Sequence, residues 1–214
     1  DDTDTAQIIE FGGQNGASGV DVTYSQNSTN FSGFSIGSVT TVGVEDAFIE
    51  TFGAITVDSL VGHDTYNVTP TGATQADVEV EGLWPLLHTE QPSLNGGSGL
   101  IISDGEAGDG DVLRVNLSTA SEMVMVDPTA GPFGVVLVTS GALLKPVNFD
   151  LSNIEALEVF GNQGDDYFTV YPSSIPIFID GGDPIAPTPG DTLNIMTGGQ
   201  PFTFNAGPEN DEGS

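Results

Sequence analysis

The chain has no cysteine, and only two of its 214 residues are basic, Arg114 and Lys145, against 31 acidic ones. The first absence removes disulfide frameworks and thiolate metal sites. The second leaves a formal net charge of −29. Two cations cannot neutralise a phosphate backbone, so nucleic acid is excluded as a partner. An anionic membrane surface would repel the chain. No apolar run nears the ~18 residues of a membrane span; the longest, such as Phe133–Val138, are strand-length. Membrane insertion is therefore not expected. Helix signals are scarce too: no window combines a sustained three-four apolar spacing with capping residues. Charged residues are 15% of the chain, below the ~25% common in soluble domains, so the acidity reflects missing Lys and Arg. There is no initiator Met and no leader, and the start Asp1-Asp2-Thr3-Asp4 reads as part of something longer.

What is present is strand and turn chemistry. Glycine is 29 of 214 residues, about twice the ~7% background. Val78-Glu79-Val80-Glu81, Val112–Leu117 and Tyr167–Val170 alternate apolar and polar residues, the period of a half-buried strand. Gly, Asn, Asp and Pro separate such runs, as turns require. The class is all-β. Carboxylates at this excess repel one another in the compact state, so salt or divalent cations are expected to screen them.

One pattern recurs. Gly19-Val20-Asp21, Gly62-His63-Asp64 and Gly164-Asp165-Asp166 each place Gly, any residue and Asp before a strand-forming run. Gly110-Asp111 and Gly190-Asp191 are tighter variants, and Asp109 lies beside the first of them. The five aspartates are 43, 47, 55 and 25 residues apart. With 25 residues as one coil, the longer intervals are about two coils each, which predicts a parallel β-helix or β-solenoid with irregular coils. A pair of β-sandwich domains with long loops is the alternative. The solenoid reading makes 1–205 one elongated β-repeat domain, with imperfect repeats at 45–117 and 155–195, and 206–214 an acidic flexible tail or linker. The Pro-rich stretch 183–189 cannot be a central strand.

Calcium takes six to eight oxygen ligands from carboxylates and carbonyls on sharply turning loops. The Gly-Asp turns offer those groups, although Asp and Gly also dominate turns that hold no metal. Gly161–Thr169 resembles a hemolysin-type (RTX) calcium-binding nonapeptide, G-G-x-G-x-D-x-U-x, with Asn162 at the second glycine. Gly16–Tyr24 is a poorer copy, and Ser59–Asn67 lacks both leading glycines. More broadly, 155–195 is similar to a unit of long, acidic, repetitive surface proteins of environmental bacteria. The resemblance implies a cell-surface or extracellular location and calcium-dependent structure. Candidate ligands are Asp165 and Asp166 with Asp180, Asp183 or Asp191, then Asp64, Asp21, Asp109 and Asp111. Motifs two coils apart would stand ~9.6 Å apart, too far for one ion to bridge at 2.3–2.6 Å, so the expectation centres on Asp165-Asp166.

Catalytic constellations are thin. Gly33-Phe34-Ser35-Ile36-Gly37 matches a nucleophile elbow, but a strand-forming run follows where the elbow needs a helix. His63 occupies the variable position of a turn motif, and His88 lies beside the only Trp, Trp84. A polysaccharide lyase needs a basic residue at its site, and alternation points Arg114 outward. Four N-x-S/T sequons occur, at Asn27, Asn30, Asn67 and Asn116. The expectation is a structural or adhesive module outside the cell, not an enzyme, with calcium ions and neighbouring copies or flanking domains as partners. A calcium-dependent polysaccharide-binding or polysaccharide-cleaving protein is the second reading, with a groove of Trp84, Tyr66, Tyr167 and Tyr171. A surface adapted to high salt is the third.

Overall fold

A computed structural model describes residues 7–11, 22–26, 34–36, 39–40, 46–51, 54–59, 62–81, 86–90, 99–104, 107–140, 143–182, 190–199, 201–205 and 212–213. The chain is all-β: nineteen strands and no helix occur among these residues. None of them forms a helix long and apolar enough to cross a membrane.

In chain order the strands are β1 (Gln7–Phe11), β2 (Val22–Gln26), β3 (Phe34–Ile36), β4 (Val39–Thr40), β5 (Asp46–Thr51) and β6 (Ile55–Ser59). Next come β7 (Thr65–Pro70), β8 (Gln75–Val80), β9 (Leu86–Glu90), β10 (Leu100–Asp104), β11 (Val112–Asn116), β12 (Met123–Asp127) and β13 (Gly134–Ser140). The last are β14 (Leu143–Phe149), β15 (Ala156–Phe160), β16 (Tyr167–Val170), β17 (Ile177–Asp180), β18 (Thr192–Ile195) and β19 (Glu212–Gly213). They form two mixed sheets. Sheet A has the order β1-β5-β9-β8-β7-β11-β15-β17-β19, and sheet B the order β18-β16-β12-β13-β14-β10-β6-β2-β3-β4.

From β5 to β7 and again from β9 to β12, the chain changes sheet at every connection, as it does from β14 to the end. Strands met on successive passes pair in parallel, as β7 with β11 and β11 with β15. Beyond the antiparallel run β2-β3-β4 that ends sheet B, two later passes are lengthened by antiparallel excursions: β7-β8-β9 in sheet A and β12-β13-β14 in sheet B. Each excursion folds back onto the previous pass, so β9 pairs with β5 and β14 with β10. This revises the spacing expectation. Asp64 and Asp111 precede directly paired strands, so their 47 residues are one step and not two coils. The 25 residues from Asp166 to Asp191 are a step without an excursion.

Alternation produces the core. In β11, Leu113 and Val115 are buried while Arg114 faces outward. Inward residues of both sheets, among them Val57, Val68, Ile102, Leu113 and Phe168, form one hydrophobic cluster. Sheets that share one core are packed face to face, each covering the other's apolar side. Arg114 pairs with Glu158 on the adjacent strand at 2.8 Å and lies 5.6 Å from the Phe160 ring centre. The other cation does little for the surface. Lys145 is buried on β14, and loss of hydration lowers its pKa to about 8. Ser35 lies in β3, which pairs with β4, so a strand and not a helix follows the elbow-like motif. In the segment 206–214, Glu212 and Gly213 pair antiparallel with β17; the rest of it, and the Pro-rich stretch 183–189, lie outside the described residues.

Candidate metal centre

The Gly-Asp turns gather along two edges, one before the strands of each sheet. On the first edge, Asp64 precedes β7, Asp111 precedes β11 and Glu155 precedes β15. The Asp111 and Glu155 carboxylates each reach back to the preceding turn. The Asp64 N–H donates to Asp111 Oδ1 at 2.7 Å, and the Asp111 N–H donates to Glu155 Oε2 at 2.7 Å. Gly62 N–H donates to Asp109 Oδ2 at 3.1 Å, and Gly108 N–H to Glu155 Oε1 at 2.6 Å. Turn amides have no strand partner, so a carboxylate from the next pass satisfies them with charge-assisted bonds. This is what the repeated Asp does for the fold. The glycines serve the same turns: Gly110 has φ +102°, a conformation that side-chain-bearing residues avoid.

The second edge repeats the device. Glu122, Asp166 and Asp191 precede β12, β16 and β18. Glu122 N–H donates to Asp166 Oδ1 at 2.7 Å, and Asp166 N–H to Asp191 Oδ1 at 2.7 Å. Asn162, at the second-glycine position of the nonapeptide-like turn, has φ +67°, a left-handed conformation that Asn tolerates better than most residues. A side chain at Gly161 would fall 2.7 Å from Asp166 Oδ2 and against the Gly181 carbonyl, so the turn requires glycine there.

Hydrogen bonding leaves one oxygen of several of these carboxylates unused. Asp64 Oδ2, Asp109 Oδ1 and Asp111 Oδ2 on the first edge are buried without a hydrogen-bond partner, as are Glu122 Oε2 and Asp166 Oδ2 on the second. Asp111 is 0% exposed, Asp166 1% and Glu122 3%. Burying an ionised oxygen without a partner is costly, and the group responds by holding its proton or by binding a cation. Burial, followed by the charges of Asp104 and Asp109, pushes the Asp111 carboxyl up to about 8, against the Asp64 amide hydrogen bond. Burial pushes Asp166 up to about 7; the Glu122 and Asp191 charges add to this, and the Glu122 amide opposes it. Asp64 and Asp58 are raised by the same combination of burial and neighbouring charge.

Two groups of carboxylates come close enough to share an ion. Asp64, Asp104 and Asp111 each offer an oxygen within 4.8 Å of the others, and so do Asp109, Asp111 and Glu155. Two oxygens on one calcium lie no more than about 5 Å apart, given ligand distances of 2.3–2.6 Å. Asp104 is 3% exposed and held in place: Ser59 Oγ donates to its Oδ2 at 2.6 Å, and the Tyr66 hydroxyl lies 3.1 Å away. Burial raises the Tyr66 phenol further above its usual value, so it stays a neutral donor. Tyr66 is thus a core residue and lines no sugar groove.

Of the residues named from sequence, Asp64, Asp109 and Asp111 fall in these groups. Asp165 is exposed, and its N–H donates to Ser121 Oγ at 2.9 Å. Asp180 Oδ1 accepts the Gly182 N–H at 2.9 Å. Among the described residues, Asp165, Asp166, Asp180 and Asp191 belong to no three-carboxylate group. Asp21 and Asp183 lie outside the described residues. Sequence reasoning missed Asp104, Glu155 and Glu122. The signal for the last two was the interval itself: Glu155 follows Asp111 by 44 residues, and Asp166 follows Glu122 by 44.

The chain matches no protein-family model, no curated protein and no solved structure.

Proposed function

We propose that this chain is a structural module of the extracellular space or cell surface, a β-solenoid with irregular passes, stiffened by calcium on its first edge. The observation that carries this reading is Asp111, a fully buried residue with an unpartnered Oδ2 that is common to two carboxylate triads. The chemistry of the donor set favours a hard cation, since every side-chain donor is a carboxylate oxygen. Calcium tolerates irregular oxygen cages, whereas magnesium demands near-ideal octahedral geometry and gives up water reluctantly. The ion would replace the missing hydrogen-bond partners and relieve repulsion between passes. Calcium is abundant outside cells and scarce within, so rigidity would follow export. A structural role is also favoured over a catalytic one, because the two Lys and Arg side chains are the core Lys145 and the ion-paired Arg114.

The test is a calorimetric titration of the whole chain at pH 7.5. Calcium is expected to bind with a Kd in or below the ~10⁻⁴–10⁻³ M range of extracellular modules, with magnesium at least tenfold weaker. Asp111→Asn is expected to remove the binding. No calcium binding at 10 mM by a folded chain, or equal binding of both metals, would overturn the reading.

A further inference from the structure

We propose that the first edge holds two divalent cations that share Asp111, one between Asp64, Asp104 and Asp111 and one between Asp109, Asp111 and Glu155. This rests on the calcium reading above and deepens it by fixing the number of ions and the residue that couples them.

The geometry divides the site. Ligands of one calcium must fall within about 5 Å of one another, and each triad meets that limit at 4.8 Å. The two triads have only Asp111 in common; among the described residues no group joins Asp64 to Asp109 or to Glu155. The unpartnered oxygens divide in the same way. Asp64, with its unpartnered Oδ2, belongs to one flank, Asp109, with its unpartnered Oδ1, to the other, and Asp111, with its unpartnered Oδ2, to both. A single ion in either triad leaves the opposite flank's oxygen buried and unsatisfied. Two ions bridged by the Asp111 carboxylate give each flank an ion.

Charge points the same way. Five carboxylates converge in this space. Fully ionised they carry five negative charges, of which one divalent cation neutralises fewer than half and two neutralise most. The frame is already set without metal: main-chain amides hold Asp111 Oδ1, Asp109 Oδ2 and both Glu155 oxygens, and Ser59 and Tyr66 hold Asp104. Such preorganisation fixes the ligand oxygens before an ion arrives. Because the shared ligand lies between two directly paired passes, the pair of ions would lock β7, β11 and β15 at their N-terminal ends.

The test counts bound calcium per chain by equilibrium dialysis and atomic emission, on the whole protein at saturating calcium. Asp64→Asn and Asp109→Asn each keep an oxygen acceptor and remove one flank. Each is expected to lower the count by one, and the double variant and Asp111→Asn by two. If the double variant loses the same single ion as each single variant, the shared two-ion centre is overturned while the calcium reading stands. A wild-type count of one overturns it whatever the variants do, including variants that fail to fold. A wild-type count of zero overturns both.

Discussion

Saturating calcium is expected to raise the melting temperature of the whole chain by about 5–10 °C for each ion bound. Binding at a hundred times Kd adds ~2.7 kcal/mol per site, and in a chain of this size each kcal/mol moves the midpoint by about 2–4 °C. A two-ion edge therefore predicts a total of about 10–20 °C over a chelator baseline. The rise is large because two effects act together: the ions satisfy buried oxygens and relieve repulsion at the Asp64–Asp111–Glu155 edge. The control is sodium chloride at matched ionic strength. Exposed carboxylates of a −29 chain are screened by any salt, and the partly buried triads around the buried Asp104 and Asp111 are screened less. Equal shifts in sodium and in calcium would mean that general screening accounts for the whole effect.

The metal-free chain is expected to be most stable in acid. Asp166 has a folded-state pKa pushed up to about 7, against about 3.9 in an unfolded chain. Between those values the folded chain holds more protons than the unfolded one. Stability is therefore fully present near pH 4, falls as pH rises and levels off above pH 7. Asp111, raised to about 8, contributes in the same direction. The groups facing Asp166 explain the sign: the Glu122 and Asp191 carboxylates come from the adjacent passes, and their charges disfavour its ionisation. Melts in EDTA from pH 4.5 to 8.5 are expected to show a continuous decline. Asp166→Asn provides the specific check. Its amide oxygen still accepts the Glu122 N–H, and its NH₂ can donate to Glu122 Oε2, which has no partner in the native chain. The variant is expected to be more stable than the native chain at pH 8 without metal, by about 1 kcal/mol or more. Its decline with pH is expected to be shallower. A flat or rising profile for the native chain, or a destabilised Asp166→Asn, would contradict this account of the second edge.

Local structure was legible where alternation was clean. Val112–Leu117 and Tyr167–Val170 read as strands and are strands. The turn motif also marked the right positions: Asp64, Asp111, Asp166 and Asp191 all precede strands, and the carboxylates of the last three reach a neighbouring turn. The step between passes was misread. The antiparallel excursions β7-β8-β9 and β12-β13-β14 add strands inside a pass, and nothing local distinguishes a returning hairpin from an extra coil. That misreading placed Asp64 and Asp111 ~9.6 Å apart and moved the metal expectation toward Asp165-Asp166. It also hid Glu155 and Asp104. Glu155 has no glycine before it, and Asp104 lies at the end of a strand and not at the start of one. Both are brought to Asp111 by sheet register, which is a long-range property of the chain. The sequence resemblance to calcium-binding repeats was carried by the second edge, whereas the three-carboxylate groups lie on the first.

The most direct test of the central claim is diffraction from crystals grown in calcium, with anomalous differences used to place the ions. The account predicts anomalous peaks at about 2.3–2.6 Å from the Asp111 carboxylate oxygens, one toward Asp64 and Asp104 and one toward Asp109 and Glu155. Calcium found only on exposed carboxylates, with Asp111 Oδ2 hydrogen-bonded as a protonated acid or to water alone, would contradict it.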